Sequence, residues 1–265
     1  MHQLTHKLQQ FYNQNAQHFS QTRKKHRPEF DYIMNIINTY PWKKMTIREL
    51  GCGDGRFYTY LQKNCNKEIN YTWIDISDEL LKIAKKTIST KDKKSKLWPL
   101  NSKLFPKATF IHADMIEHIQ QGKQESVNII VSIAAFQHIP TLSQRRLVLK
   151  NIYRLLTYEW KYIMTNRTAS QRFIQKYWKP ILLSRMKTIV TIGQHTWRDL
   201  SIPWENKGKK WWRYYHLYGE KECTNLAQES WFIVEENRYM TTDGQITDNQ
   251  KNARNMITVL KKSTF

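Results

Sequence analysis

The turn ELGCGDGRF, residues 49–57, constrains this chain more than any other stretch. It joins the strand-like MTIREL (45–50) to the helix-like RFYTYLQKNC (56–65). Gly51, Gly53 and Gly55 let the backbone turn sharply there and come close to a ligand with no side chain in the way. Twenty residues past the last glycine, Asp75 sets a carboxylate near the tip of a second strand, INYTWIDI (69–76). A corner and a carboxylate so spaced fit an open sheet that binds ligands beyond the carboxyl ends of its strands.

The alternation continues along the chain. SDELLKIAKKTI reads as a helix that Ser77 caps, with Asp78 in its first turn. ATFIHADM (108–115) is a third strand, and SVNIIVSIAAF (126–136) a fourth. The fourth is apolar almost throughout, as a strand buried on both faces should be. SQRRLVLKNIYRLL reads as a helix capped at Ser143, and KYIMTN (161–166) as a fifth strand. The pattern predicts an α/β fold: a doubly wound, Rossmann-like, mostly parallel sheet. After a helix at GEKECTNLAQES, the strands WFIVEENRYM and NARNMITVLKK flank the polar turn TTDGQITDNQ, which predicts an antiparallel C-terminal hairpin. Four regions follow: an N-terminal helical extension (1–44), a ligand-binding core (45–166), a basic, tryptophan-rich insertion (167–218) and the C-terminal part of the core sheet (219–265).

The spacing Gly-x-Gly-x-Gly is not that of a dinucleotide site. The acidic Glu49 and Asp54 in the same turn also disfavour a pyrophosphate. A ligand with a cationic end fits better, and S-adenosyl-L-methionine, with an ammonium, a sulfonium and no phosphate, is the expected cofactor. Asp75 can take both hydroxyls of its ribose. Asp114 and Met115 at the end of the third strand, and the fourth strand leading into FQHI, would line the same crevice.

Charge narrows the partner. Among 265 residues, 43 Lys and Arg outweigh 22 Asp and Glu, a formal net charge of +21. A polyanion, first nucleic acid and then anionic membrane, is the natural complement. A lysine-favouring source is the bland alternative. The excess concentrates between Lys161 and Tyr218, where 12 basic residues face Asp199 and Glu205 and five of the ten tryptophans gather. That block ends in KGKKWWRYYHLYGE (207–220), which supplies cations for phosphates and rings for unstacked bases. Cys52, Cys65 and Cys223 are scattered, which argues against a disulfide framework and against structural zinc. No metal is expected, and no apolar run is long enough to span a bilayer, so the expectation is a soluble, cytoplasmic protein in a reducing compartment.

These residues resemble the class I S-adenosylmethionine-dependent methyltransferases over roughly residues 45–166 and 219–265. The resemblance implies that Glu49 and the turn Gly51, Cys52, Gly53 and Gly55 face the methionine part. It implies Asp75 and Ile76 at the ribose, Asp114 and Met115 beside the adenine, and Ser132 near the cofactor. The flanks are more specific. YNQNAQHFSQTRKKHRP, VSIAAFQHI and LSIPWENKG…RYYHLYGEKE are similar to segments of the tRNA wobble-uridine carboxymethyl methyltransferases, including the methyltransferase domain of the AlkB-type tRNA enzyme. That family esterifies 5-carboxymethyluridine in the anticodon loop, and its eukaryotic members need a small zinc-binding activator subunit. The chain departs from it at Lys24 and Arg27, where the family has aromatics, at Gln137, where it has histidine, and at TYEWK (157–161), where a Pro-Gly-Gly turn is usual.

The resemblance thus implies tRNA as substrate. A carboxylate nucleophile is already ionised at neutral pH, so alignment matters more than a base. The expected catalytic residues are Arg23, His138 and Arg213, with Tyr12 and Arg23 also near the cofactor. Lys25, Arg213, Tyr214 and His216 are expected on the substrate, and Lys207, Lys209 and Lys210 on the tRNA backbone. Two alternatives stand beside this reading: a methyltransferase of small carboxylic acids or quinone precursors, and a non-catalytic RNA-binding version of the fold.

Overall fold

The computed structural model describes residues 2–23, 25–92, 104–190, 196–206 and 208–263. Lys207 and most of the lysine-rich stretch 89–107 lie outside them. Two helices come first, α1 (His2–Gln21) and α2 (Pro28–Thr39), the latter with proline in its first turn, where a missing N–H costs nothing. Then follow β1 (Lys44–Leu50), α3 (Arg56–Asn64), β2 (Glu68–Asp75), α4 (Asp78–Asp92), β3 (Lys107–His112) and α5 (Met115–Gln121). The core continues with β4 (Val127–Ile133), α6 (Leu142–Leu155) and β5 (Leu156–Arg167).

Among the described residues eight strands form one sheet in the order β3-β2-β1-β4-β5-β10-β8-β9, with β1 to β5 all parallel. β8 (Ile233–Met240) and β10 (Asn255–Lys261) form the expected antiparallel pair, joined through the short β9 (Ile246–Thr247). β10 inserts between β8 and β5, so Asn255 at its start lies opposite Arg167 at the end of β5. Both sheet faces are covered. Ile47, Val131 and Ile163 pack against α2 to α4 on one side. Leu50, Ile130 and Met164 pack against α5, α6 and α9 (Glu220–Gln228) on the other. Capping of α6 differs from expectation: the Thr141 hydroxyl, not that of Ser143, accepts from the Gln144 N–H.

The insertion holds α7 (Gln171–Lys176), α8 (Trp178–Val190) and a two-stranded antiparallel ribbon of β6 (Asp199–Asn206) and β7 (Lys209–His216). Its own apolar centre is Phe173, Ile181, Leu200, Ile202, Tyr215 and Leu217. β7 lies against α1, which closes the ligand side of the sheet. No helix among the described residues is long and apolar enough to cross a membrane.

Candidate active site

At the carboxyl ends of β1, β2 and β4, roofed by α1 and β7, lies a cavity of about 360 Å³. Its floor is the glycine turn. Gly51 and Gly53 have φ of 73° and 59°, a region that disfavours side chains, and a Cβ on Gly51 would stand 2.4 Å from that of Ala135. Gly55 does something else. Its φ is 76°, and an added Cβ would stand 2.8 Å from the Trp73 ring, so it lets α3 pack on the sheet and does not line the cavity.

Two buried carboxylates share this floor with Cys52. Asp75 accepts from the Gly53 N–H at 2.7 Å and the Ser77 N–H at 2.8 Å, which fixes its orientation. Burial still raises it to about 6. Glu49 accepts from the Tyr71 hydroxyl at 2.7 Å, and burial raises it to about 8, with Asp75 and Asp54 adding repulsion. Asp54 itself pairs with Arg56 at 2.9 Å, whereas Glu49 and Asp75 have no cation in ion-pair range among the described residues. Such a floor favours a cationic ligand. The Asp114 side chain caps α5 by accepting from the Ile116 N–H at 2.8 Å, and with Ile76 and Met115 it forms one wall.

The opposite end is basic. The Arg213 guanidinium, buried, lies over Phe11, Trp204 and Tyr215 at 4.9, 4.6 and 5.1 Å from the ring centres, and its Nε has no hydrogen-bond partner. Arg23 stacks on Phe19 and Trp204 at 3.8 and 4.8 Å, and burial lowers it to about 10. Among the described residues neither arginine has a carboxylate in ion-pair range. Lys25 stands exposed at the rim. Between the two ends, the Tyr12 hydroxyl meets His138 Nε2 at 3.2 Å, and His138 Nδ1 meets the Tyr214 carbonyl at 2.8 Å. That carbonyl can only accept, so Nδ1 carries the proton and Nε2 accepts from Tyr12. Burial lowers His138 to about 4. It is therefore a neutral acceptor toward Tyr12.

Tyr214, His216, Ser132 and Lys209, like Gly55, lie elsewhere. Side chains alternate along a strand, so Arg213 and Tyr215 reach the cavity while Tyr214 and His216 point away. Tyr214 and His216 join a buried polar cluster instead. His216 Nδ1 is 2.6 Å from Asp199 and its Nε2 is 2.6 Å from Glu222. Arg145 reaches Asp199 at 3.1 Å and the Tyr214 hydroxyl at 2.8 Å, and that hydroxyl also bonds Asp199. Ser132 is likewise on the far face of β4, bonded to the Tyr162 hydroxyl at 2.7 Å in the core. Lys209, expected on the tRNA backbone, stands over Trp211 at 4.4 Å and lines neither the cavity nor the groove on the insertion side.

Sequence reasoning passed over Arg167 and Arg254. With Arg23, Arg213 and Tyr215, they separate the cavity from a wide groove on the insertion side. Lys210, lying over the exposed Trp212 at 5.0 Å, stands in that groove with Arg172, Lys176 and Trp178. Among the described residues the groove is lined by nine lysines and arginines against one carboxylate, Glu205.

Residues 47–159 match the family model of a methyltransferase domain. Solved structures share the fold. A SAM-dependent methyltransferase from Methanosarcina mazei superimposes with a TM-score of 0.65 at 19% identity, over 87% of this chain and 98% of that one. The chain held by the Trm112 methyltransferase activator in Haloferax volcanii gives 0.61 at 12%, over 97% and 98%. The 1,6-didemethyltoxoflavin-N1-methyltransferase of Burkholderia thailandensis, which carries S-adenosylhomocysteine, gives 0.59 at 11%, over 99% and 90%. No curated protein sequence matches the chain. With that domain on that fold, the chain is a methyltransferase whose cofactor is S-adenosyl-L-methionine. The two buried carboxyl groups beneath the glycine turn, both raised by burial, fit a cofactor whose ammonium and sulfonium favour their ionised forms.

Proposed function

We propose that the chain methylates a carboxylate on a wobble uridine, of the 5-carboxymethyl type, in the anticodon loop of tRNA. One observation carries this: the cofactor cavity opens past four arginines into a basic groove set with exposed tryptophans. Cations along such a groove take a phosphate backbone, and its rings take unstacked bases. The cavity carries charge at its two ends, with carboxylates for the cofactor and arginines for an anionic substrate group.

In this reading Glu49 and the Gly51–Gly53 turn hold the cofactor's amino-acid end, Asp75 its ribose, and Asp114 and Met115 its adenine. Arg23 and Arg213 hold the substrate carboxylate, each able to bind it through two N–H groups. The cofactor supplies a methyl group on a cationic sulfur. The carbon–sulfur bond breaks as the oxygen–carbon bond of the ester forms, the electron pair stays on sulfur, and no proton moves. His138, with a value of about 4, is a poor base near neutrality, which suits a nucleophile that is already ionised. His138 instead holds the Tyr12 hydroxyl in place. By the likeness to the family and to the Haloferax chain, a small activator subunit belongs to the proposal.

The nucleoside profile of tRNA from a deletion strain tests the reading. The methyl ester should vanish and its free acid accumulate; an unchanged profile contradicts the assignment.

A further inference from the structure

Arg167 ends β5 and Arg254 immediately precedes β10, so the antiparallel pairing sets the two side by side at the sheet's carboxyl edge. Arg167 Nη1 donates to the Arg254 carbonyl at 3.0 Å, and its own backbone N–H donates to Gln137 at 2.7 Å. Neither guanidinium has an ion pair among the described residues. The nearby carboxylate, Glu29, is bonded at Oε1 by Arg27 at 3.2 Å and by Asn255, while its buried Oε2 has no hydrogen-bond partner. Three arginines, Arg27, Arg167 and Arg254, therefore gather around a single carboxylate, which can balance only one of them. Burial, with added repulsion from Arg254 and Arg27, holds Arg167 below the ordinary arginine value. An excess of cations at a half-buried spot is favourable once an anion joins it.

The position says which anion. Arg167 and Arg254 line both the cofactor cavity and the basic groove, so they stand where a substrate passes from one to the other. We propose that Arg167 and Arg254 bind the phosphodiester next to one nucleotide whose base turns out of the groove into the cavity. Arginine forks match phosphate oxygens in pairs, and a held phosphate sets how far the base can enter. The proposal rests on the RNA reading above. It adds that a single phosphorylated nucleotide, not the base alone, is the unit recognised at the mouth.

Binding of uridine and of uridine 3′,5′-bisphosphate to the S-adenosylhomocysteine-loaded protein tests it by calorimetry. The bisphosphate should bind at least tenfold more tightly than uridine. Arg254→Gln should remove most of that advantage and Arg254→Lys about half of it on a logarithmic scale, with S-adenosylhomocysteine affinity as the check on folding. Equal binding of the two ligands, or an advantage that survives in Arg254→Gln, overturns the proposal. If the bisphosphate binds through Arg254 while tRNA is never methylated, the site stands and the tRNA assignment fails. If Arg254→Gln methylates tRNA as fast as the parent and keeps its dependence on salt, the site fails and the assignment stands.

Discussion

Glu49 is where the floor of the site can be tested residue by residue. Its carboxyl is raised from 4.5 to about 8, and a cationic ligand favours the ionised form. Cofactor binding should therefore expel a proton below pH 8, and affinity should rise with pH, by up to roughly tenfold per unit, before levelling off. Calorimetry of S-adenosylhomocysteine in two buffers of different ionisation enthalpy measures that proton. Glu49→Gln should abolish its release and weaken binding by roughly tenfold or more. The sign for folding is opposite. The folded chain binds the proton more tightly than the unfolded chain, so this group's stabilising contribution falls as pH rises from about 4.5 toward 8. Thermal melts of the ligand-free protein should thus lose some pH dependence in Glu49→Gln. Gly55→Ala tests the packing role of the turn: a positive φ and the Trp73 ring together predict a loss of about 1–3 kcal/mol, read by denaturant melts. The floor was legible in the sequence because its parts are local: Gly51, Gly53 and the Glu49 carboxyl are fixed by one strand–turn–helix unit. His138 was legible as a residue of the cavity, but not its neutrality, which comes from burial, nor its tautomer, which depends on a carbonyl 76 residues away.

At the scale of elements, the insertion is held to the core by the cluster of Asp199, Tyr214, His216, Glu222 and Arg145. Asp199 sits at its centre, its carboxyl kept well below the usual range despite burial by His216 and Tyr214. The cluster fixes one face of β7, and that puts Arg213 and Tyr215 of the other face into the cavity. Removing one member leaves buried charges unpaired, so Asp199→Ala should destabilise the insertion by about 3–5 kcal/mol. Hydrogen exchange should speed up in β6 and β7, and kcat should drop at least tenfold while S-adenosylhomocysteine affinity holds. Unchanged exchange in those strands would contradict this role. The sequence reading put Arg213, Tyr214 and His216 together on the substrate, although the two-residue period of a strand sets Arg213 on the other face from Tyr214 and His216. Which pair faces the ligand was hidden because partners such as Arg145, 69 residues before Tyr214, are far off in the chain. The core strands were readable because burial on both faces writes itself as continuous apolar runs, as in β4.

For the molecule as a whole, +21 is not spread evenly over the binding surfaces. Carboxylates lie under the cofactor, and basic residues line the way in from the groove. RNA binding should therefore depend steeply on salt, falling on the order of a hundredfold or more between 50 and 200 mM if several phosphates are engaged. A small neutral substrate would show almost no such slope. The central claim is methyl transfer to a carboxylate on tRNA, and it is met most directly by incubating tRNA that carries the free 5-carboxymethyl acid with the protein and S-adenosyl-L-methionine labelled in the methyl group. After digestion to nucleosides, mass spectrometry should find the label in one uridine derivative, released as methanol by mild alkali. Label that stays absent from RNA, or that sits in an alkali-stable methyl group, would contradict the account.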